Sequence, residues 1–291
     1  MKLALVLGLL GATSVSAAPY YVGENLKQNN AINLGFLDAP TKKEVGTTGK
    51  AGNVAAFNLN GAYSMTNNSN VRIAFPFYMV SKNATASATS KNAIGNLSIG
   101  AGWTDSFQSA NRVWNYGYSL TADIYAPTSR KAEGFSVARI NPTTDLYRFA
   151  TKATSVTPTA GIFVGRDTFS AKTNIGLGMM YLSKSSVSGT SQTADGQTKA
   201  ARYLVNWQTA ASWHALQNLN ANIEYNTVYL DSKTAMDGGT TKRAQFRSSI
   251  TPSLSGNYEQ ILASAYVTLP IDAATRDRTA VAFGVNAGYS F

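Results

Sequence analysis

The sequence predicts an all-β protein, a twelve-stranded antiparallel transmembrane β-barrel. Three observations lead to it. Segments that alternate apolar with small or polar residues recur along the chain, and the last of them, Val281 to Phe291, runs to the final residue. The stretches between these segments are short and long by turns. Charged residues make up 14% of the chain, well under the ~25% of soluble domains. A period of two gives each segment one oily face and one wet face. In lipid the free donors and acceptors of such a strand would meet no water, so the strands must join one closed sheet.

The chain opens with an export address. Lys2 supplies the positive start, Leu3 through Ala12 the apolar core, and Val15-Ser16-Ala17 a small-residue cleavage site. Residues 1–17 are therefore expected to be removed, residues 18–30 to form an N-terminal periplasmic segment or plug, and residues 31–291 to form the barrel. No later stretch approaches the ~20 apolar residues of a membrane helix. Cysteine is absent, so packing and a closed hydrogen-bond network must hold the fold without disulfides.

The strands follow in order. Asn29 to Asp38 sets Ile32, Leu34 and Phe36 on one face. Val54 to Met65 does the same with Phe57, Leu59, Tyr63 and Met65. After a short turn come Val71, Ile73, Phe75, Phe77 and Met79, then the weakly apolar stretch Ser81 to Asn92. Leu97, Ile99, Ala101 and Trp103 alternate with small residues, and Trp114, Tyr116, Tyr118, Leu120, Ala122 and Ile124 oppose polar ones. The longest insertion, Ala126 to Ala153, precedes a weaker strand of Val156, Ala160, Ile162 and Val164. Alternation is poor from Leu146 to Thr157, which leaves open whether that stretch is strand or loop. Arg166 to Ser170 turns the chain into Ile175, Leu177, Met179 and Tyr181. Beyond the polar loop Ser183 to Lys199, Tyr203, Val205, Trp207, Ala211 and Trp213 share a face. His214 to Leu219 reads as a turn into Ala221, Ile223, Tyr225 and Tyr229. Ala244, Phe246, Ser248 and Ile250 follow, then Ile261, Ala263, Ala265, Val267 and Leu269, and the terminal strand. Each segment is about the 9–11 residues of a tilted membrane strand. An even strand number puts both chain ends on the short-turn side and all the long loops on the other. Pro76, Pro158 and Pro252 fall inside proposed strands, where a closed sheet offers no free edge; they read as bulges or rim positions. Trp103, Trp114, Trp207, Trp213, Tyr229 and Tyr289 lie toward strand ends on the apolar face, where interfacial girdles sit.

Composition also narrows function. The formal charge is +10, with the basic residues scattered; a nucleic-acid site would cluster them, so no nucleic-acid partner is expected. His214 is the one histidine, with no acid in the same turn, which leaves little for acid–base catalysis. One histidine and no cysteine give no zinc-type ligand set. The reading is a non-enzyme without cofactor or metal. The charges that matter are those on inward positions: Arg72, Asp123, Arg202, Glu224, Arg243 and Arg247. They read either as pairs filling a narrow barrel or as a charged constriction that biases passage toward anions. Glu224 is expected diagonally across from Arg247, which invites a cross-strand ion pair.

Several of these segments resemble known families. The closing strand, ending in Phe291, resembles the C-terminal recognition strand of bacterial outer-membrane barrels, which implies the barrel-assembly machinery as a partner. Phe75-Pro76-Phe77 followed by Gly95-Asn96-Leu97-Ser98-Ile99-Gly100 resembles the outer-membrane channel family of the phenol-degradation meta-pathway. That family has an apolar-Pro strand followed by Gly-Asp-aliphatic-x-aliphatic-Gly. Leu269-Pro270-Ile271 and Gly288-Tyr289-Ser290-Phe291 fit as well, and Asn96 stands where Asp is usual. The resemblance implies an outer-membrane location in a Gram-negative-type bacterium, contact with lipid and lipopolysaccharide, and passage of small solutes. The expected function is passive diffusion. The alternatives are a structural or adhesion barrel with a filled lumen, and a lateral-exit transporter for apolar aromatic solutes with a gap at Pro76 or Pro158. Homo-oligomerisation is left open.

Overall fold

The computed structural model describes residues 30–40, 53–80, 91–111, 113–129, 146–149, 153–166, 168–182, 201–216, 218–230, 246–276, 279 and 281–291. The expected export address (1–17) and all of the 18–30 segment except Asn30 lie outside these residues, as does Arg243. The strands are β1 (Ala31–Pro40), β2 (Asn53–Ser64), β3 (Ser69–Val80), β4 (Lys91–Ile94), β5 (Ser98–Gln108), β6 (Asn115–Tyr125), β7 (Ala153–Arg166), β8 (Phe169–Leu182), β9 (Ala201–Leu216), β10 (Leu219–Leu230), β11 (Phe246–Tyr258), β12 (Ile261–Pro270) and β13 (Ala282–Ser290). Single helical turns α1 (Leu146–Phe149) and α2 (Ala273–Arg276) lie in two of the connections.

Except for β4 and β5, neighbours in sequence pair antiparallel, and β13 pairs back onto β1, so the sheet closes into a barrel. β4 and β5 both pair with β3, at opposite halves of its length. They are two pieces of one wall strand, and the wall therefore has the twelve strand positions that the alternation requires. Long connections (41–52, 81–90, 126–152, 183–200, 231–245, 271–281) all leave one end of the barrel. Short turns, the start of β1 and the end of β13 occupy the other, where the Phe291 amide donates to the Asn30 carbonyl at 2.9 Å.

Burial runs the reverse of a soluble protein. On β6, Asn115, Ser119, Thr121, Asp123 and Tyr125 are buried, while Tyr116, Tyr118, Leu120 and Ile124 between them are exposed. The same parity holds on β7, where Ser155, Thr157 and Thr159 point in and Ile162 and Val164 point out. The exposed apolar face is one that only a non-aqueous surrounding stabilises. Trp103, Trp114, Trp207, Trp213, Tyr229 and Tyr289 all lie on it. Two hydroxyl pairs on this outer face satisfy each other locally. Thr173 Oγ1 meets Thr209 Oγ1 at 2.9 Å and accepts the Trp207 indole N–H at 2.9 Å, and Thr227 meets Ser248 at 2.8 Å. Without water in the bilayer, such local pairing removes the desolvation cost.

Two boundaries differ from the sequence reading, the open stretch Leu146 to Thr157 divides into turn and strand, and the prolines sit elsewhere than expected. β8 begins at Phe169, ahead of Ile175, because the β7–β8 turn is shorter than expected. His214 lies within β9 rather than in a turn, and its Nδ1 is 2.7 Å from Asn220 Oδ1. Leu146–Phe149 is helical and strand begins at Ala153. The prolines are neither at rims nor, with one exception, at bulges. Pro158 and Pro252 sit mid-strand on the outer face, and each coincides with a gap in one ladder only. The register is unshifted across both gaps: Val156 pairs Met179 and Thr159 pairs Gly176, while Ile250 pairs Leu269 and Ser253 pairs Tyr266. The missing N–H breaks a bond without breaking the wall, because the other neighbour stays paired. Pro76 is the exception. Its carbonyl takes the Gly95 amide at 2.8 Å, and the register with β3 slips by one residue between β4 (Phe77↔Ile94) and β5 (Ala74↔Ser98). Residues 95–97 thus form a β-bulge in the wall.

Candidate functional site

The interior is the site, and two polar clusters and one helical turn organise it. The first cluster crosses β3, β5 and β6. Arg72 pairs with Gly100, and Gly100 pairs with Asp123, so a glycine stands between two charged residues in one row. A Cβ on Gly100 would lie 1.9 Å from Asp123 Oδ1. The bare glycine therefore lets the guanidinium cross a whole strand. Arg72 Nη2 reaches Asp123 Oδ1 at 3.1 Å and Oδ2 at 3.3 Å, and also the Ala101 carbonyl at 3.5 Å. Arg148, from α1, adds its field to the same carboxylate and is itself buried. One carboxylate thus serves two guanidiniums.

The second cluster crosses β8, β9 and β10. The Asn174 amide donates to Gln208 Oε1 at 3.2 Å, and Gln208 Nε2 donates to Glu224 Oε1 at 2.7 Å. Asn226 Nδ2 donates to the same Glu224 oxygen. Every donor in this chain points toward the carboxylate, so the amides are oriented by its charge. Lys172 lies in the same row, with only Ala210 between it and Glu224. It bears on Glu224 electrostatically over that small side chain.

Between the clusters lies the turn α1. Asn96, at the bulge, is fully buried and bonds the turn at two points and the β6–β7 connection at a third. Its Nδ2 donates to the Tyr147 carbonyl at 2.6 Å, its backbone N–H to the Arg148 carbonyl at 2.5 Å, and its Oδ1 accepts the Ser129 amide at 2.9 Å. Thr128 Oγ1 donates to the Gly95 carbonyl at 2.6 Å and accepts the Leu97 amide at 2.9 Å. The Tyr147 ring stacks at 5.7 Å on Tyr125 and ends against Gly178 of β8, where a Cβ would sit 1.4 Å from its hydroxyl oxygen.

Of the residues expected to line the lumen, Arg72, Asp123, Glu224 and Arg247 have their side chains on the inward face and buried or nearly so. Arg202 is in β9, paired with Met180, but its side chain is not among those described. Glu224 and Arg247 are not diagonal neighbours. Glu224 faces Thr251 and Arg247 faces Val228, so a full inward row separates them. The ion pair within bonding distance among the described residues is Arg72–Asp123. Lys172, Arg148, Tyr147 and the amides of Asn174, Gln208 and Asn226 were not singled out from sequence. Lys172 lies between the expected turn and Ile175, on the inward parity, where the sequence reading named no residue. Arg148 and Tyr147 stand in a connection, where alternation carries no signal.

Four inward cations (Arg72, Arg148, Lys172, Arg247) face two anions (Asp123, Glu224), an excess of two positive charges among the described residues. Inward side chains are as sheltered as a soluble core: Gln208 and Glu224 are 1% exposed, Asn174 2% and Arg148 3%. A wide aqueous pore would leave such groups wet, so the interior at this level is narrow.

No family model and no curated protein sequence matches the chain. Solved structures do match in shape. An outer-membrane channel from Pseudomonas putida F1 superposes with a TM-score of 0.60 at 12% identity, over 90% of this chain and 96% of that one. The NanC porin does so with a TM-score of 0.50 at 5% identity, over 90% and 100%. At these identities the likeness is one of architecture, a closed antiparallel barrel common to all three.

Proposed function

We propose that the protein is an outer-membrane channel for passive diffusion of small solutes, with a mild preference for anions, and not an enzyme. The observation that carries this reading is the inside-out barrel. Its outer face is apolar, with Thr173–Thr209 and Thr227–Ser248 bonded locally, and its enclosed interior is polar with an excess of cations among the described residues. Fold likeness to outer-membrane channels supports the same setting. In this setting the short turns and both chain ends face the periplasm, the long connections face outward toward lipopolysaccharide, and β13 with Phe291 engages the assembly machinery. The narrow interior fits small solutes, whose preferred sign is set by Arg72, Arg148, Lys172 and Arg247, joined by Arg202 and Arg243 if their side chains also turn inward. Planar-bilayer recording of the purified, folded protein tests the reading. Discrete ion currents with modest anion selectivity are expected; silence would sink the channel, and cation selectivity would sink the charge assignment.

The bulge favours a second reading, lateral exit of apolar solutes. Neither Phe75 nor Pro76 is laddered to β4 or β5, and the wall there is held by the Gly95–Pro76 bond. A disulfide engineered across the seam, from Phe75→Cys to Leu97→Cys, would block uptake of an apolar solute on this reading and leave ion currents unchanged.

A further inference from the structure

Building on the channel reading, we infer that α1 is the constriction of the pathway and that the bulge at 95–97 is the latch that holds it there. A residue in a regular ladder has its amide committed to the neighbouring strand. The one-residue slip between β4 and β5 takes Asn96 out of the ladder. Its amide and both side-chain termini are thereby released, and all three are used on the β6–β7 connection, at Arg148, Tyr147 and Ser129. A bulge that only bent the wall would not need an amide side chain buried at this point.

The second anchor is on a different wall strand. Tyr147 reaches past Tyr125 to β8, and its hydroxyl occupies the space that any side chain at position 178 would fill. Thr157 and Pro158 of β7, opposite Gly178 and Leu177 in the unshifted register, are also where the β7–β8 ladder is interrupted. The wall is thus relieved at both ends of the turn. Between the anchors, Arg148 is carried near enough to the Arg72–Asp123 pair to act on its carboxylate, so the constriction and this charge cluster coincide. The turn, its two docking points and the charge cluster form one unit. Releasing Asn96 or filling Gly178 would withdraw the ring and the guanidinium together.

The test uses the full-length mature protein, refolded and shown to be folded by heat-dependent gel migration. Single-channel recording is combined with hydrogen exchange read by mass spectrometry. Asn96→Ala and Gly178→Ala attack the latch from separate strands, so one remains informative if the other does not fold. Each is expected to raise conductance at least about twofold by widening the constriction. Each is also expected to speed exchange across Leu146–Phe149 about tenfold, as the loss of one or two net hydrogen bonds in a locally opening segment implies. Tyr147→Ala should raise conductance too, and adding Gly178→Ala to it should change nothing more, because the clash partner has gone. Faster exchange without a conductance gain overturns the constriction. Unchanged exchange overturns the latch. In both cases wild-type currents leave the channel reading standing. Silence from the wild type and from every variant overturns the inference together with the channel reading.

Discussion

At Asp123 a single carboxylate balances two guanidiniums in an enclosed interior, and removing one partner of such a set leaves charge buried without compensation. Asp123→Ala is expected to lower stability by about 3–5 kcal/mol, measured by urea titration in lipid vesicles. Asp123→Asn keeps the volume and some hydrogen bonding, so it should cost less and move ion selectivity further toward anions in bilayer recordings. Gly100→Val should mimic the loss of the pair without touching a charge, since any Cβ there collides with Asp123. Much of this was legible in the sequence. Strand parity alone puts Arg72, Asp123, Glu224 and Arg247 on the inward face, because a one-residue error would have flipped every apolar neighbour as well. The partners were not legible. Parity says which way a side chain points but not which row it meets, and the long connection 231–245 sets no register between β10 and β11. Hence the expected Glu224–Arg247 pair gives way to a carboxylate held by amides.

Each strand meets two solvents, and substitutions should behave accordingly. Ile175→Arg or Ile223→Arg, on the outer faces of β8 and β10, is expected to cost about 2–4 kcal/mol in a bilayer if near its midplane, with little effect on conductance in the fraction that folds. Asn226→Ala, inward on β10, should instead disturb the Glu224 cluster and change conductance and selectivity while the barrel stays closed. Refolding yield and single-channel recording separate the two. The alternation was clear enough to find every wall position. It failed where the signal itself stops: at short turns, where β8 and β9 both extend further than expected, and at Leu146–Phe149, whose helical turn lies inside a connection. The β4–β5 bulge was hidden for a different reason. Gly95 and Asn96 are both compatible with an alternating strand, and the slip shows only when Ile94 and Ser98 are paired with β3 in three dimensions.

The molecule as a whole is a wide frame with a narrow interior. Eight strands already leave room for side chains to fill a barrel; twelve leave more, and here polar side chains and an inserted turn take it up. That is why inward charge, read from sequence, described the lining but not the bore. The selectivity that follows from an excess of two cations should be modest. It should weaken as salt rises from about 0.1 M to 1 M, where the screening length falls from about 10 to 3 Å. Reversal potentials across that range check this. A preference that grew with salt would contradict an electrostatic origin.

The bond between Asn30 and Phe291 places the first and last wall residues side by side at the same rim. A short peptide could therefore run from Phe291 to Asn30 in place of the residues before it, and fresh ends be opened in any of the outward connections, without altering one rung of the sheet. Circular permutants cut within 183–200 should refold in vesicles to the same heat-resistant form. Their success would mean that the cylinder is specified by which edges fit together, not by which strand leaves the ribosome first.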